Sequence, residues 1–194
     1  MYSLLIEFHT NLFNGLHALV GISDLLDSII LFVARDADLY VGAAAMLFIL
    51  VHQHLRKTSS KPESSTRLIL EMILITASVL IAWMVSDILK ELIGGLRPFE
   101  FYESLQPLFF YEGGDSFPSG HATIFSALAL MLTMLHRKTG LVFVVFAIAI
   151  SLGRVMAGIH YPIDIFAGWI IGGIVSYTVF VLVKKHNPFF RKTL

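Results

Sequence analysis

The sequence IFAGWIIGGIVSYTVFVLV, residues 165–183, contains no charged side chain and is long enough to decide the fold class. An α-helix needs roughly 18 to 20 apolar residues to cross the hydrocarbon core of a membrane. Four shorter uncharged runs precede it, and they span if their polar flanks are included: Leu39–Val51, Met72–Ser86, Ala122–Leu135 and Thr139–Gly153. Five such runs favour membrane helices over the buried helices of a soluble protein. We therefore predict an all-α, polytopic membrane helical bundle with five to six transmembrane helices.

The composition agrees with a membrane protein and excludes several functions. Hydrophobic residues make up 56% of the chain and charged residues only 14%, against about 25% charged residues in soluble domains. The length fits one domain, residues 1–194. Because the formal net charge is zero, no basic field favours nucleic acid as a partner. The absence of cysteine excludes disulfides, thiolate metal sites and a cysteine nucleophile.

Basic residues cluster in three of the segments that flank the runs. They are Arg56, Lys57, Lys61 and Arg67 before the second run, Arg137 and Lys138 before the fourth, and Lys184, Lys185, Arg191 and Lys192 after the fifth. Such clusters mark the cytoplasmic side of a membrane protein. We therefore expect a protein of the cell (inner or plasma) membrane with a cytoplasmic C-terminus. Residues 90–120 and 154–164 then lie on the extracytoplasmic side.

Two regions leave alternatives open. Residues 1–35 are largely apolar but are interrupted by Glu7, His9, His17, Asp24 and Asp27, which fits an interfacial helix followed by a short second helix, or a sixth weak span. The start of the chain lacks the basic region and cleavage site of a signal peptide.

Gly168 and Gly172 form a small-xxx-small surface in the last run, suited to packing within the monomer or to dimerisation. The oligomeric state is left open.

Arg154, His160 and Asp164 form the first group that suggests chemistry. Proline is favoured at the first position of a helix, so Pro162 predicts that His160 precedes the last span and that Asp164 lies in its first turn. The carboxylate can then orient one ring nitrogen, leaving the other as a nucleophile. Arg154 can bind a phosphate bidentately. The alternative is an interfacial histidine beside a capping aspartate.

A second group, Pro118-Ser119-Gly120-His121, leads directly into the third run. Ser119 is a natural N-cap, and the free N–H groups of a helix N-terminus bind anions. Gly120 lets a phosphate oxygen approach the backbone, and His121 can protonate a leaving oxygen as general acid. The alternative is an ordinary helix cap with an incidental histidine.

Lys90 and Arg97, followed by Pro98, add two further cations. They complete a positive cradle, although cations at helix ends often serve only as interfacial anchors. Gly94 and Gly95 between them allow the second span to end and turn. With three cations available, we expect neither a metal nor another cofactor. His52 and His54 form a solvated interfacial pair rather than a metal site on this view.

The order and spacing of these groups resemble the type 2 phosphatidic acid phosphatase (PAP2) superfamily, whose three motifs are, in chain order, K-x6-RP, PSGH and SR-x5-H-x3-D. The resemblance covers residues 90–164. It implies that Lys90, Arg97, Ser119, Gly120 and Arg154 bind phosphate, that His121 is the general acid, that His160 forms a phosphohistidine and that Asp164 orients it. Gly153 departs from the family, which usually has serine at this position.

The predicted function is metal-independent hydrolysis of a membrane lipid phosphate at the extracytoplasmic face. Within the family, the segment 26–28 and the loop 97–119 resemble bacterial undecaprenyl-diphosphate phosphatases of the BcrC type, which implies undecaprenyl diphosphate as substrate. Phosphatidylglycerophosphate, phosphatidate and lipid A remain alternative substrates. Two other classes also stay open, a lipid phosphotransferase and a non-catalytic protein that binds or transports lipid phosphates.

Overall fold

The structure, a computed structural model, describes residues 2–56, 63–111 and 114–186. Every regular element within these ranges is helical, which confirms the predicted all-α class. The helices are α1 (Tyr2–His17), α2 (Asp24–Leu31), α3 (Ala37–Arg56), α4 (Glu63–Ile93), α5 (Pro98–Phe101), α6 (Gly120–Leu135), α7 (Arg137–Met156) and α8 (Pro162–His186), with a π-helical turn, Phe32–Asp36, joining α2 to α3. Four basic residues used for the topology lie outside the described ranges: Lys57, Lys61, Arg191 and Lys192.

Three helical stretches are long and apolar enough to cross a membrane, judged by length and composition. They are Thr66–Phe101, Arg137–Met156 and Pro162–His186, while Gly120–Leu135 is a shorter apolar helix. Large apolar side chains are exposed along these stretches, as expected of surfaces that face lipid. The chain is therefore a helical membrane bundle, and the number of five to six spans stays a prediction.

Helix α6 lies at the centre of the bundle and packs against α4, α7 and α8. The contact with α8 depends on Gly168 and Gly172. A Cβ atom at Gly168 would lie 2.8 Å from the carbonyl oxygen of Ser119, and one at Gly172 would overlap Ser126 and Thr123. The small-residue surface is therefore occupied by α6 of the same chain, and packing within the monomer is confirmed.

The N-terminal segment forms two separate short helices before α3. Helix α1 packs against α7 and α8, and the π-helical turn packs against α7. At about 1.5 Å per residue, the 16 residues of α1 extend about 24 Å, less than the roughly 30 Å of a hydrocarbon core. This arrangement favours the interfacial alternative, whose position relative to the bilayer stays a prediction.

The helix ends near the three motifs follow the local sequence signals. Ser119 is the N-cap of α6, and its Oγ accepts a hydrogen bond from the backbone N–H of Ala122. Helix α8 begins at Pro162. Helix α4 ends before Gly94 and Gly95, whose φ angles of 69° and 127° allow the chain to turn sharply. All three predicted boundaries are confirmed, and they bring the motif residues to one end of the bundle.

Candidate active site

Residues of all three motifs meet around one cavity of about 190 Å³. The cavity is bordered by the last turns of α4, the first turn of α6 and the segment before α8. Its lining residues are Trp83, Ser86, Asp87, Lys90, Tyr111, Gly120, His121, Ile124 and His160. Arg97, Ser119, Arg154 and Asp164 are buried around it. Every candidate site residue from the sequence therefore lies in or around this region.

His160 and Asp164 form a buried pair beside the cavity. The Nδ1 atom of His160 lies 3.3 Å from Oδ2 of Asp164, and both side chains are 2% exposed. The same Oδ2 accepts hydrogen bonds from the hydroxyl of Ser116 at 2.6 Å and from the backbone N–H of Tyr161 at 2.8 Å. A carboxylate fixed by these donors assigns the proton of the imidazole to Nδ1 and leaves a lone pair on Nε2.

The ionisation state of His160 agrees with this assignment. Burial lowers the pKa of His160 to about 3, an effect that Arg154 and Arg97 reinforce and that the hydrogen bond to Asp164 opposes. The imidazole is therefore neutral at physiological pH. A neutral ring with a free lone pair is the form that can attack an electrophile.

Arg97 and Lys90 hold the loop that leads from α5 to α6. The guanidinium of Arg97 donates from Nη1 to the carbonyl of Ile159 at 2.8 Å and from Nε to the carbonyl of Gly114 at 2.9 Å. Its Nη1 atom also lies 3.4 Å from Nε2 of His160. Lys90 donates from Nζ to the carbonyl of Asp115 at 2.7 Å. Arg97 thus lies beside Nε2 of the histidine, and Lys90 lines the same cavity.

Among the three cations of the site, Arg154 has the fewest of its N–H groups in hydrogen bonds with described residues. Its side chain is 2% exposed, and Nη1 donates to the carbonyl of Ala34 at 2.8 Å. Nε and Nη2 are buried without a hydrogen-bond partner among the described residues. Buried guanidinium donors in this state are costly unless an acceptor binds them. This arrangement suits an anion such as phosphate.

Tyr111 stacks against both guanidinium groups. The centroid of its ring lies 4.3 Å from Cζ of Arg97 and 4.9 Å from Cζ of Arg154. Such distances are typical of cation–π contacts. The ring therefore helps to hold two like charges close together at the cavity.

The glycine that departs from the family pattern has a packing reason. A Cβ atom at Gly153 would lie 3.2 Å from the backbone N of Ala34 and 3.2 Å from Cγ1 of Val33. Gly153 therefore lets the π-helical turn approach α7 closely enough for the Ala34 carbonyl to accept from Arg154. A backbone oxygen of the π-helical turn is thus a partner for the arginine.

The second motif contributes residues to the cavity and to the packing below it. Gly120 and His121 line the cavity, and Nε2 of His121 lies 3.3 Å from Oδ2 of Asp38 in α3. Ser119 is fully buried, and its backbone N–H donates to the carbonyl of Asp164 at 3.1 Å. Ser119 thus ties the start of α6 to the start of α8, and its role as a phosphate ligand stays a prediction.

Four partners of the site were not found by sequence reasoning. They are the Ser116 hydroxyl, the Ala34 carbonyl, the Tyr111 ring and the Asp38 carboxylate. Only Ser116 had a usable signal, since it lies next to the second motif. Within the described ranges, no group of three or more His, Asp or Glu side chains is arranged to hold a metal ion.

Comparison with known proteins relates this chain to phosphatases. A Bacillus licheniformis protein named bacitracin transport permease protein BcrC is 33% identical over 109 residues, which is 54% of each chain. An undecaprenyl-diphosphatase of Sulfolobus acidocaldarius is 28% identical over 167 residues, covering 84% of this chain and 73% of its own. Other relatives are named as lipid A phosphatases and as a phosphatidylglycerophosphatase. The alignment thus spans about half the length of several of these relatives.

The fold and the family agree with these matches. The crystal structure of Aquifex aeolicus LpxE superposes with a TM-score of 0.63 at 23% identity, covering 89% of this chain and 94% of that one. This likeness shows a shared fold. The family profile described as PAP2 superfamily matches residues 70–188, which contain all three motifs and helices α6 to α8. The chain therefore belongs to the PAP2 superfamily.

Proposed function

We propose that this protein is a metal-independent lipid phosphatase that acts through a phosphohistidine at the extracytoplasmic face of the membrane. The observation that carries the proposal is the state of His160, which is buried, neutral and held through Nδ1, with Nε2 beside Arg97. Three cations around one neutral histidine suit the binding of a phosphate and the attack on its phosphorus.

In the proposed first step, Nε2 of His160 forms a bond to phosphorus while the bond from phosphorus to the leaving oxygen breaks. His121 gives its proton to that oxygen. In the second step, a water oxygen attacks the phosphohistidine, His121 takes the proton of the water, and the electron pair of the P–N bond returns to Nε2. Lys90, Arg97 and Arg154 stabilise the negative charge on the other phosphate oxygens throughout.

An apolar groove supports a lipid as the substrate. The groove lies between α3, α4 and α6, has a volume of about 250 Å³ and is almost entirely apolar. Ile124 lines both this groove and the polar cavity. A phosphate bound beside His160 can therefore continue into a hydrocarbon tail along the groove. The undecaprenyl-diphosphatase among the relatives above makes undecaprenyl diphosphate our first choice, with phosphatidylglycerophosphate, phosphatidate and lipid A as the alternatives.

Phosphate release in detergent tests the reaction. The purified protein should release phosphate from undecaprenyl diphosphate faster than from the three alternative lipids, and excess chelator should not reduce the rate. His160→Ala should abolish release and the labelled phosphoenzyme that acid quenching traps from the wild type. Normal release by His160→Ala would contradict the nucleophile. No release from any of the lipids by the intact protein would favour a binding or transport protein, and transfer of label to a second lipid would indicate a phosphotransferase.

The proposed sidedness has a direct test because the chain contains no cysteine. Single cysteines at exposed positions Glu103 and Lys138 would mark the site loop and the opposite end of the bundle. In intact cells, a membrane-impermeant maleimide should label Glu103→Cys and leave Lys138→Cys unlabelled until the membrane is opened. The reverse pattern would place the site on the cytoplasmic side.

A further inference from the structure

Asp38 lies beside the active-site cavity although it belongs to none of the three motifs. It is in the first turn of α3, directly after the π-helical turn. In the sequence it precedes its partner His121 by 83 residues. The fold therefore brings to the second motif a carboxylate that the motif itself does not contain.

The carboxylate is held in place from one side and faces His121 from the other. Oδ1 accepts a hydrogen bond from the backbone N–H of Leu39 at 2.6 Å, and Oδ2 lies 3.3 Å from Nε2 of His121. The His121 ring also stacks at 6.3 Å from the ring of Phe125, one turn further along α6. Two contacts on different sides thus restrict the orientation of the imidazole.

The cavity is consequently flanked by two histidine–carboxylate pairs of different kinds. His160 uses Nδ1 to contact Asp164, and both side chains are almost fully buried. His121 uses Nε2 to contact Asp38, and these side chains are 27% and 37% exposed. The almost complete burial of the first pair suits a neutral nucleophile, whereas the second pair places a carboxylate beside the ring that supplies the proton.

The cations of the site make such a partner necessary. Burial lowers the pKa of His121, and repulsion by the positive charges of Arg154 and Lys90 lowers it further, whereas Asp38 raises it. Asp38 is the carboxylate in direct contact with the ring. Its negative charge offsets part of this repulsion, so a general acid can coexist with a phosphate cradle.

We propose that Asp38 is the positioning residue of the general acid, holding His121 through Nε2 so that Nδ1 delivers the proton. This inference rests on the proposed function, in which His121 protonates the leaving group. As the P–O bond breaks, the proton moves from Nδ1 to the leaving oxygen, the ring becomes neutral, and Nε2–H continues to donate to Asp38. Asp38 itself stays ionised and touches neither the substrate nor the transferred phosphate.

Leaving-group dependence separates this role from a structural one. A leaving group that departs easily as an anion does not need a general acid, whereas a poor one does. Two aryl phosphates with the same alkyl tail, one of them carrying a nitro group on the ring, provide this contrast. The measured quantity is the rate of phenol release in the first turnover, which reports the step that His121 assists.

Asp38→Asn should slow phenol release from the unactivated phosphate by about 10- to 100-fold, a part of the 10²- to 10⁴-fold that general acids contribute. Release from the nitro compound should stay close to the wild-type rate, which also shows that the variant is folded. Asp36→Asn is the matched control, since Asp36 lies in the same segment and pairs with Arg35 at the surface. This control should leave both rates unchanged.

The outcomes distinguish the inference from the function on which it rests. An equal loss on both substrates, or no loss on either, would overturn the role of Asp38. His121→Ala should show the same selectivity more strongly. If His121→Ala showed no selectivity for the nitro compound, the assignment of His121 as the general acid would be wrong. Asp38→Glu keeps the carboxylate and should show a smaller selective loss, which serves as the test if the asparagine variant does not fold.

Discussion

Each end of the bundle buries a histidine against a carboxylate. The surroundings of the two pairs differ in charge, and this difference distinguishes a structural cluster from a ligand-binding one. At one end lie His160 and Asp164, and at the other lie His136 and Glu71. Helix α4 carries both Glu71 and Lys90, which are about 28 Å apart at 1.5 Å per residue. The two clusters are therefore independent, although the same helices support both.

In the cluster around Glu71, the carboxylate is paired with nitrogen atoms of its neighbours. Oε1 of Glu71 lies 2.8 Å from Nε of Arg67, and Oε2 lies 3.0 Å from Nε2 of His136. The ring of His52, which the sequence predicted to be solvated, instead packs at 4.7 Å from that of His136. Each carboxylate oxygen therefore has a nitrogen partner, and Glu71, which is 1% exposed, is stabilised by its neighbours.

The cluster around His160 contains more positive than negative charge. Lys90, Arg97 and Arg154 surround the pair formed with Asp164, and two nitrogen atoms of Arg154 lack a hydrogen-bond partner within the described residues. A set of charges that is internally matched stabilises the fold, whereas a set with surplus buried donors is suited to a ligand. This contrast predicts opposite effects of mutation at the two ends.

The largest effect is expected at Arg154. Arg154→Gln removes the charge and the surplus donors, so kcat/KM for lipid phosphate should fall by about 10²- to 10³-fold, as on loss of one transition-state donor. Thermal stability in detergent should stay unchanged or rise, because a poorly satisfied buried cation is lost. Inorganic phosphate should raise the Tm of the wild type and not of the variant. A clear fall in the Tm of Arg154→Gln with activity retained would show instead that this residue serves the fold.

The opposite pattern is expected at Glu71. Glu71→Gln leaves Arg67 and His136 without their ionised partner, and the free energy of unfolding should fall by about 3 kcal/mol, the lower end for a broken buried pair, since Arg67 keeps access to water. Activity of the folded fraction should remain close to wild type. Denaturation in detergent and phosphate release measure the two effects. Glu91→Gln, at an exposed position of the same helix, is the control for stability. An activity loss as large as that at Arg154 would contradict a purely structural cluster.

The smallest effect concerns the dependence of stability on pH. Burial lowers the pKa of His160 to about 3, whereas an unfolded histidine titrates near 6.5. The unfolded chain therefore binds the additional proton as the pH falls below about 6.5, and the folded protein loses stability until the pH approaches 3. The slope from this residue is at most about 1.4 kcal/mol per pH unit. The variant His160→Asn should show a shallower loss between pH 6 and 4, and identical slopes would contradict the burial of a neutral ring.

Local signals explain how much of the fold could be predicted from the sequence. Ser119 and Pro162 marked the starts of α6 and α8 correctly because capping chemistry depends on a few neighbouring residues. Gly94 and Gly95 marked the end of α4 for the same reason. The uncharged runs predicted the helical bundle, since length and hydropathy suffice for that inference.

Contacts between distant segments could not be predicted in this way. Asp38 reaches His121 across 83 residues, and the Ala34 carbonyl reaches Arg154 across 120. Neither contact leaves a periodic or spaced pattern, and a carbonyl oxygen is present at every residue. Gly153 departs from the family pattern, and the close approach of the π-helical turn at this position involves residues that are distant in the sequence.

The carbonyl of Ala34 has a consequence for mutational maps of this protein. Because the acceptor of Arg154 is a main-chain oxygen, substitution of the Ala34 side chain leaves it in place, and a scan of side chains will record this position as tolerant wherever the new residue fits. Removal of residues 1–36 would instead delete the acceptor while keeping every motif residue intact. A truncated chain would therefore still match all three motifs. Its Arg154, however, would lack the carbonyl that holds the guanidinium in place.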